Sequence, residues 1–311
     1  MPTDRHTDIF QSQRRRLAGL AYRMTGSVAD TEDIVQDAWL RFARQDLQAI
    51  AQPPRWLGAV VTRLCLDHLK SARMRRESYV GAWLPEPLVQ DDTPDAEQQW
   101  IVTEDVGIAL ILTLDRLSPE MRAAFLLRDA FDYDFEEIAA VVGRTAATCR
   151  QLVSRARRRL AGAEPAPSVT PEKALPIVTA FWQASRQGDM EGLLRLFAEE
   201  IEVHTDGGGK VTASINILRG RRRVAAFFTG IARKWPYPAV SGPRLCRING
   251  APGFVSVGPG GIVQTTALAI RDGRITAIWI MRNPDKLRHL SLEILAGLQT
   301  PDVRAGAPTS H

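Results

Sequence analysis

Residues 134–160, DFEEIAAVVGRTAATCRQLVSRARRRL, decide how this chain is read, because they spell two short amphipathic helices around a turn. Asp134 is placed to cap the first helix, Glu137 stands in its first turn, Ile138, Ala139 and Val142 form its apolar side, and Gly143 suits the turn. Thr145 caps the second helix. There Cys149, Leu152, Val153, Ala156 and Leu160 fall on one stripe at helical spacing, and Arg150, Gln151, Ser154, Arg155 and Arg158 on another. From Arg144 to Leu160 there are six arginines and no acid. One face packs and the other fits a DNA major groove. A basic helical stripe is also what an ordinary solvated surface presents, so the flanking segments have to decide.

Upstream, the pattern from Asp8 to about Arg76 is helical, broken at Pro53 and Pro54. Asp30 is expected to cap the helix TEDIVQDAWLRFA, with Ile34, Val35, Ala38 and Phe42 inward and Glu32, Asp33, Gln36, Asp37 and Arg41 on an exposed, mainly acidic side. That side suits a basic or polar partner. A second helix from about Arg55 buries Leu57, Val60, Val61 and Leu64 and presents Arg63, Asp67, Lys70 and Arg73. Trp56, in step with Val60 and Leu64, reads as core rather than as a stacking platform. Between Arg63 and Arg76 stand five basic residues and the single acid Asp67; from Glu77 to Asp115 there are nine acids and no base. The acidic stretch holds WLPEPL and QDDTPDAE, where proline blocks regular structure, and reads as a linker with a motif inside it.

Downstream, AGAEPAPSVTP is a short linker, after which the pattern changes in kind. Two helices, roughly Pro171 to Arg186 and Asp189 to Ala198, precede the alternating segments IEVHT, VTASI, RLCRI, FVSVG, IVQTTALAI and ITAIWIM. This is an α+β unit, with hairpin chemistry at Arg271-Asp272-Gly273-Arg274 and a tight connection at Gly207-Gly208-Gly209. The tail after about Leu298 is expected to be disordered. The chain has 311 residues, a net charge of +5 and 45% hydrophobic content, enough for several ordinary cores. Cys65, Cys149 and Cys246 lie in unrelated segments without metal-ligand spacing and read as small buried hydrophobes. No apolar run approaches the ~20 residues that span a bilayer, and the N-terminal segment lacks the apolar core of a signal peptide; a cytoplasmic protein without membrane contact is expected.

With these segments in order, the chain resembles the extracytoplasmic-function sigma factors of bacterial RNA polymerase. TEDIVQDAWLRF is similar to the family's region 2 helix, and LSPEMRAAFLLRDAFDYDFEEIAAVVGRTAATCRQLVSRARRRL to its region 4. WLPEPL at Trp83 to Leu88, DGGGK at Asp206 to Lys210 and NPDKL at Asn283 to Leu287 resemble the signatures of members that carry a fused SnoaL-like domain. The resemblance implies a multi-domain chain: a helical region 2 domain over 1–76, an acidic linker over 77–106, a helix-turn-helix region 4 domain over 107–162, a linker over 163–171, an α+β cone of the SnoaL or nuclear transport factor 2-like type over 172–290, and a tail over 291–311.

The resemblance also implies roles. Core RNA polymerase and promoter DNA are the partners, with no cofactor, no metal and no separate anti-sigma factor, because the cone modulates the sigma activity. Glu32, Asp33, Gln36 and Asp37 would dock on the polymerase. Thr145, Thr148, Arg150, Gln151, Arg155 and Arg158 would read the −35 element, and Arg157 and Arg159 would join Arg158 on phosphates. Arg55, Arg63, Lys70 and Arg73 would serve the −10 element, where an unstacked base is captured. Arg63 stands where many members carry asparagine, and Leu152 where many carry arginine.

An interdomain contact is expected from Trp83, Leu84, Pro85, Glu86, Pro87 and Leu88 against Asp206, Gly207, Gly208, Gly209 and Lys210 and against Asn283, Pro284, Asp285, Lys286 and Leu287. Proline and glycine at these places suit rigid turns and close backbone approach. Related cones house enzymes, but His204, Asp206 and Asp272 form no acid and base pair in the sequence, so no catalytic role is expected, and a small-ligand pocket stays open without a ligand. The alternative is a helix-turn-helix regulator with a ligand-sensing C-terminal domain.

Overall fold

Seven helices follow from the periodicity of the first half of the chain in the computed structural model, which describes residues 4–77, 79–90, 107–161, 169–235, 242–258 and 261–290; of residues 72–77 and 171 it describes the backbone alone. The expected disorder of the tail concerns residues outside the described ones, as do QDDTPDAE beyond Gln90 and the side chain of Arg73.

The chain divides into two units, the first built from residues up to Tyr79 and the helices after 107. Its helices are α1 (Asp4–Thr25), α2 (Val28–Phe42), α3 (Pro53–Glu77), α4 (Ile108–Asp115), α5 (Pro119–Asp129), α6 (Phe135–Val142) and α7 (Ala146–Leu160). The cap of α2 is Ser27, whose side chain accepts from the amide of Asp30; Asp30 lies inside the first turn instead of capping it. Gly26, at φ 70°, makes the reversal that brings Ser27 into place. The inward residues of α2 are buried as expected, and the half-buried Trp56 packs its ring 5.8 Å from that of Phe42.

The helices before Tyr79 and those after residue 107 are one packed unit. Arg122 of α5 is buried, and its guanidinium donates to the carbonyl oxygens of Leu114 and Met24 and to the carboxylate of Asp115. Tyr133, just ahead of α6, donates its hydroxyl to the Arg55 carbonyl at 2.5 Å, and burial with the nearby Glu137 charge pushes that hydroxyl up to about 12. Gly58 gives it room, since a Cβ there would lie 2.4 Å from the Tyr133 oxygen.

The second unit is the α+β cone with residues 80–90 attached. Its elements are β1 (Val89–Gln90), α8 (Pro171–Gln187), α9 (Met190–Leu196), β2 (Phe197–Asp206), β3 (Leu218–Arg219), α10 (Arg221–Lys234), β4 (Arg244–Ile248), β5 (Ala251–Val257), β6 (Val263–Arg271) and β7 (Arg274–Met281). The sheet runs β1-β4-β5-β6-β7-β2-β3, with β2 parallel to β7 and every other pairing antiparallel. Phe181, Phe197, Phe228 and Phe254 meet between the helices and the sheet, their rings 5.2 to 6.3 Å apart.

The structure departs from the sequence reading at several places. Val211–Ile215 is not a strand; the pairing falls to Leu218 and Arg219 instead. Helix α10, absent from the sequence reading, buries Val224, Ala225 and Phe228, and Cys246 is half-buried on β4 rather than buried. Residues 80–90, read as part of a linker whose WLPEPL motif contacts the third domain, fold onto the cone, and Val89 and Gln90 add a short strand beside β4. The Asp272-Gly273 turn is as anticipated, both residues having positive φ, of 51° and 71°.

Candidate nucleic-acid interface and linker lock

Helix α7 is built by local rules. Asp134 and Glu137 form the full reciprocal capping box on α6, Gly143 ends that helix at φ 72°, and the Thr145 side chain accepts from the amide of Thr148. Cys149, Val153 and Ala156 are buried against the unit, Leu152 and Leu160 half-buried. Gln151, Arg155 and Arg158 follow one another at helical spacing on the exposed side, with Arg150 and Ser154 beside them. Arg150 is braced by Glu136 at 3.2 Å and by the Phe135 ring, 5.0 Å from its guanidinium. Arg157 is held by a two-pronged pair with Asp129, at 2.6 and 3.1 Å, so it faces its own unit, unlike Arg158 and Arg159.

On α2, Glu32, Asp33, Gln36 and Asp37 are all exposed and one turn apart. On α3, the four expected −10 residues part company. The Arg55 guanidinium bonds the Glu137 carboxylate and the Asp132 carbonyl, and Arg63 donates to the Ala140 carbonyl at 3.0 Å. Lys70 is exposed and paired with Asp67 at 3.0 Å. Two of the three whose side chains are described therefore hold the helix-turn-helix module.

The three motifs WLPEPL, DGGGK and NPDKL come together on the cone. Asp206, fully buried at the end of β2, accepts from the Leu84 amide at 2.9 Å and the Lys286 ammonium at 2.8 Å through one oxygen, and from the Gly208 amide at 3.0 Å through the other. Lys286 also donates to the Leu84 carbonyl at 2.6 Å and sits 4.5 Å from the centre of the Trp83 ring. Asn283 caps the 3-10 turn Pro284–Leu287 that carries Lys286, and Gly208 passes so close to it that a Cβ would meet its amide at 2.2 Å.

Lys210 pairs with Asp285, and this hydrogen bond, against a smaller opposing effect of burial and with help from Arg288, holds the Asp285 carboxyl below its usual range. Stabilisation from that shift is complete above the ordinary carboxylate pKa and is lost as pH falls through the lowered one. Pro85, Pro87 and Leu88 are buried and Glu86 half-buried along the same strap.

Two strap-holding residues stand outside the three motifs. Asn249 accepts from the Leu88 amide at 3.2 Å while its own amide donates to the Leu88 carbonyl at 2.8 Å, and His289 bonds the Pro87 carbonyl at 2.7 Å. Asn249, at φ 49°, fits a tight β4–β5 turn, which is the one hint available. His204 pairs with Glu202, whose carboxyl feels burial upward but is lowered overall by Arg219 and His204; Asp272 sits in its turn. Among the described residues no group of three or more His, Cys, Asp or Glu could hold a metal ion, and no helix is long and apolar enough to cross a membrane.

The family description Sigma-70 region 2 matches residues 9–75, and Sigma-70, region 4 matches residues 108–160. The chain is 37% identical to the ECF RNA polymerase sigma factor SigJ of Mycobacterium tuberculosis over 286 residues, which are 89% of this chain and 91% of that protein. The crystal structure of Mycobacterium tuberculosis extracytoplasmic function sigma factor SigJ matches with a TM-score of 0.73 and 34% identity, covering 95% of this chain and 100% of that one. The region 2 match takes in both the acidic and the basic helix, which leaves the separate-regulator reading without support. With both sigma regions in order ahead of the cone, and with a full-length relative of this likeness, the chain belongs to the extracytoplasmic-function sigma factors of RNA polymerase.

Proposed function

We propose that this sigma factor, working in the cytoplasm, docks on core RNA polymerase through Glu32, Asp33, Gln36 and Asp37. It reads the −35 element with α7 and the −10 element with α3, and its own cone modulates it in place of a separate anti-sigma protein. Catalysis has no part in this reading. The observation that carries it is the lock of Asp206 and Lys286 on Leu84. The eleven residues Val80–Gln90 lie in the chain between the two DNA-reading modules. A fully extended chain spans about 3.5 Å per residue, so anchoring them removes up to roughly 40 Å of reach, about one turn of DNA. Arg55 and Arg63 would also have to leave Glu137 and Ala140 before α3 reaches a −10 element, which makes the packed first unit a resting form.

The test is transcription in vitro, with the purified chain, sigma-free core polymerase and a pool of genomic promoter fragments. Initiation at fragments that share two spaced elements is expected; DNA binding without initiation would overturn the reading. Asp285→Ala combined with Lys286→Ala should change the transcript yield and leave polymerase binding intact, and an unchanged yield rejects modulation by the lock.

Arg150→Ala is expected to weaken binding to the promoter by about 1 to 3 kcal/mol, measured by fluorescence anisotropy on −35 fragments. An equal loss on scrambled DNA would assign Arg150 to phosphate rather than to a base. Reversing charge with Asp33→Lys and Asp37→Lys should lower affinity for core polymerase at least tenfold, by roughly 1.4 kcal/mol, with a weaker effect at high salt. Retained affinity would remove α2 from the docking surface.

A further inference from the structure

We infer that the cone binds a small molecule with a flat apolar body and an anionic end, and that its occupancy is felt at the lock on Leu84. This goes beyond the proposed function and rests on it for the meaning of the lock. A cavity of about 360 Å3 lies in the second unit. Counting about 30 Å3 for each non-hydrogen atom, the share of one water in the liquid, it has room for roughly a dozen.

Its lining combines the apolar side chains of Phe227 and Trp235 around α10 and Ile280 of β7 with the polar ones of Thr205, Gln264 and Arg282. Two aromatic walls suit a ring system, and a half-buried arginine beside them selects a carboxylate over a neutral group, because a guanidinium meets a carboxylate with two parallel hydrogen bonds.

The cavity and the lock share backbone. Thr205 and Asp206 are successive residues of β2, so their side chains leave opposite faces of the sheet: Thr205 lines the cavity and Asp206 holds Leu84 and Lys286. At the end of β7 the amides of Arg282 and Asn283 both donate to the Asp206 carbonyl, at 2.8 and 3.0 Å. Arg282 lines the cavity, and Asn283 caps the turn that carries Lys286. A ligand drawn to Arg282 and Thr205 therefore bears on both halves of the lock through one residue of rigid strand on each side.

The experiment uses the full chain, with naphthoate as the anionic probe and naphthalenemethanol as its neutral counterpart, read by calorimetric titration and by hydrogen exchange at the Leu84 and Leu88 amides. Naphthoate should bind at least tenfold more tightly than the alcohol. Arg282→Gln should remove that preference. Because Arg282 also donates to the Thr212 carbonyl, the exposed Trp235→Ala is the second variant, and it should weaken naphthoate at least fivefold with an unchanged melting curve.

Binding should slow exchange at Leu84 by about fivefold, since a ligand that favours the locked form stabilises it. Absence of naphthoate binding up to millimolar concentration, or equal affinity for the alcohol, overturns the site. Binding with unchanged exchange at Leu84 overturns the coupling. Neither outcome touches the lock's own role, which is judged separately by transcription with the Asp285 and Lys286 variants.

Discussion

Asp206→Ala lowers the stability of the second unit by about 3 to 5 kcal/mol, the usual cost of removing one partner from a buried ion pair. The Asp206 side chain is fully buried and that of Lys286 is 11% exposed, so the lysine left behind has little water to turn to. The Leu84 and Gly208 amides lose their acceptor in the same step. At roughly 2 to 4 °C per kcal/mol for a domain of this size, the midpoint of the second unit should fall by about 6 to 20 °C in scanning calorimetry of the full chain. Asp206→Ala with Lys286→Met removes both charges and should recover a large part of the loss, which alanine at 206 alone cannot do. A loss below about 1 kcal/mol, or a double variant no better than the single, would show that the pair is not what fastens the strap.

Arg122→Ala is the second large effect, about 3 kcal/mol in the first unit, read as a lowered urea midpoint at constant slope. The arginine is buried and serves three acceptors at once. Two of them, the Leu114 carbonyl and Asp115, lie on α4, and the third, the Met24 carbonyl, lies near the end of α1. Truncation strands those acceptors and opens a cavity beneath α5. Arg122→Lys should rescue little, because a compact ammonium cannot reproduce the fork of a guanidinium that reaches in three directions. Rescue by lysine to within about 0.5 kcal/mol would reduce the role of Arg122 to charge alone. Because Met24 belongs to the first module and Leu114 to the second, the variant also tests whether the two melt as one, and separate transitions in the wild-type chain would contradict that packing.

Residues near one another in sequence gave themselves away, and residues joined over long separations did not. The box of Asp134 and Glu137, the turn at Gly143 and the buried side of α7 were legible because capping and helical period act within a few residues. The capping of α2 was misplaced by three residues, since Ser27 and Asp30 are equally able caps and the choice fell to the reversal at Gly26. Helix α10 was hidden by the arginines at its start, which mask the spacing of Val224, Ala225 and Phe228. Val211–Ile215 has the alternation of a strand, but alternation does not name a partner, and β2 takes Leu218 and Arg219 instead.

The sequence by itself determined the order of modules and the polarity of α2 and α7, because each is written in local spacing and residue type, while the three motifs that mark the strap stood out through their resemblance to family signatures. Only the tertiary structure decided that Leu84, Asp206 and Lys286 form one buried lock and that Asn249 and His289 complete the hold on the strap. It also decided that Arg55 and Arg63 spend their donors on the helix-turn-helix module. Those contacts join residues 77 to 202 positions apart. A pairing over such separations is chosen by which groups the folded core leaves buried and in need of a partner, and that need exists only once the core has formed.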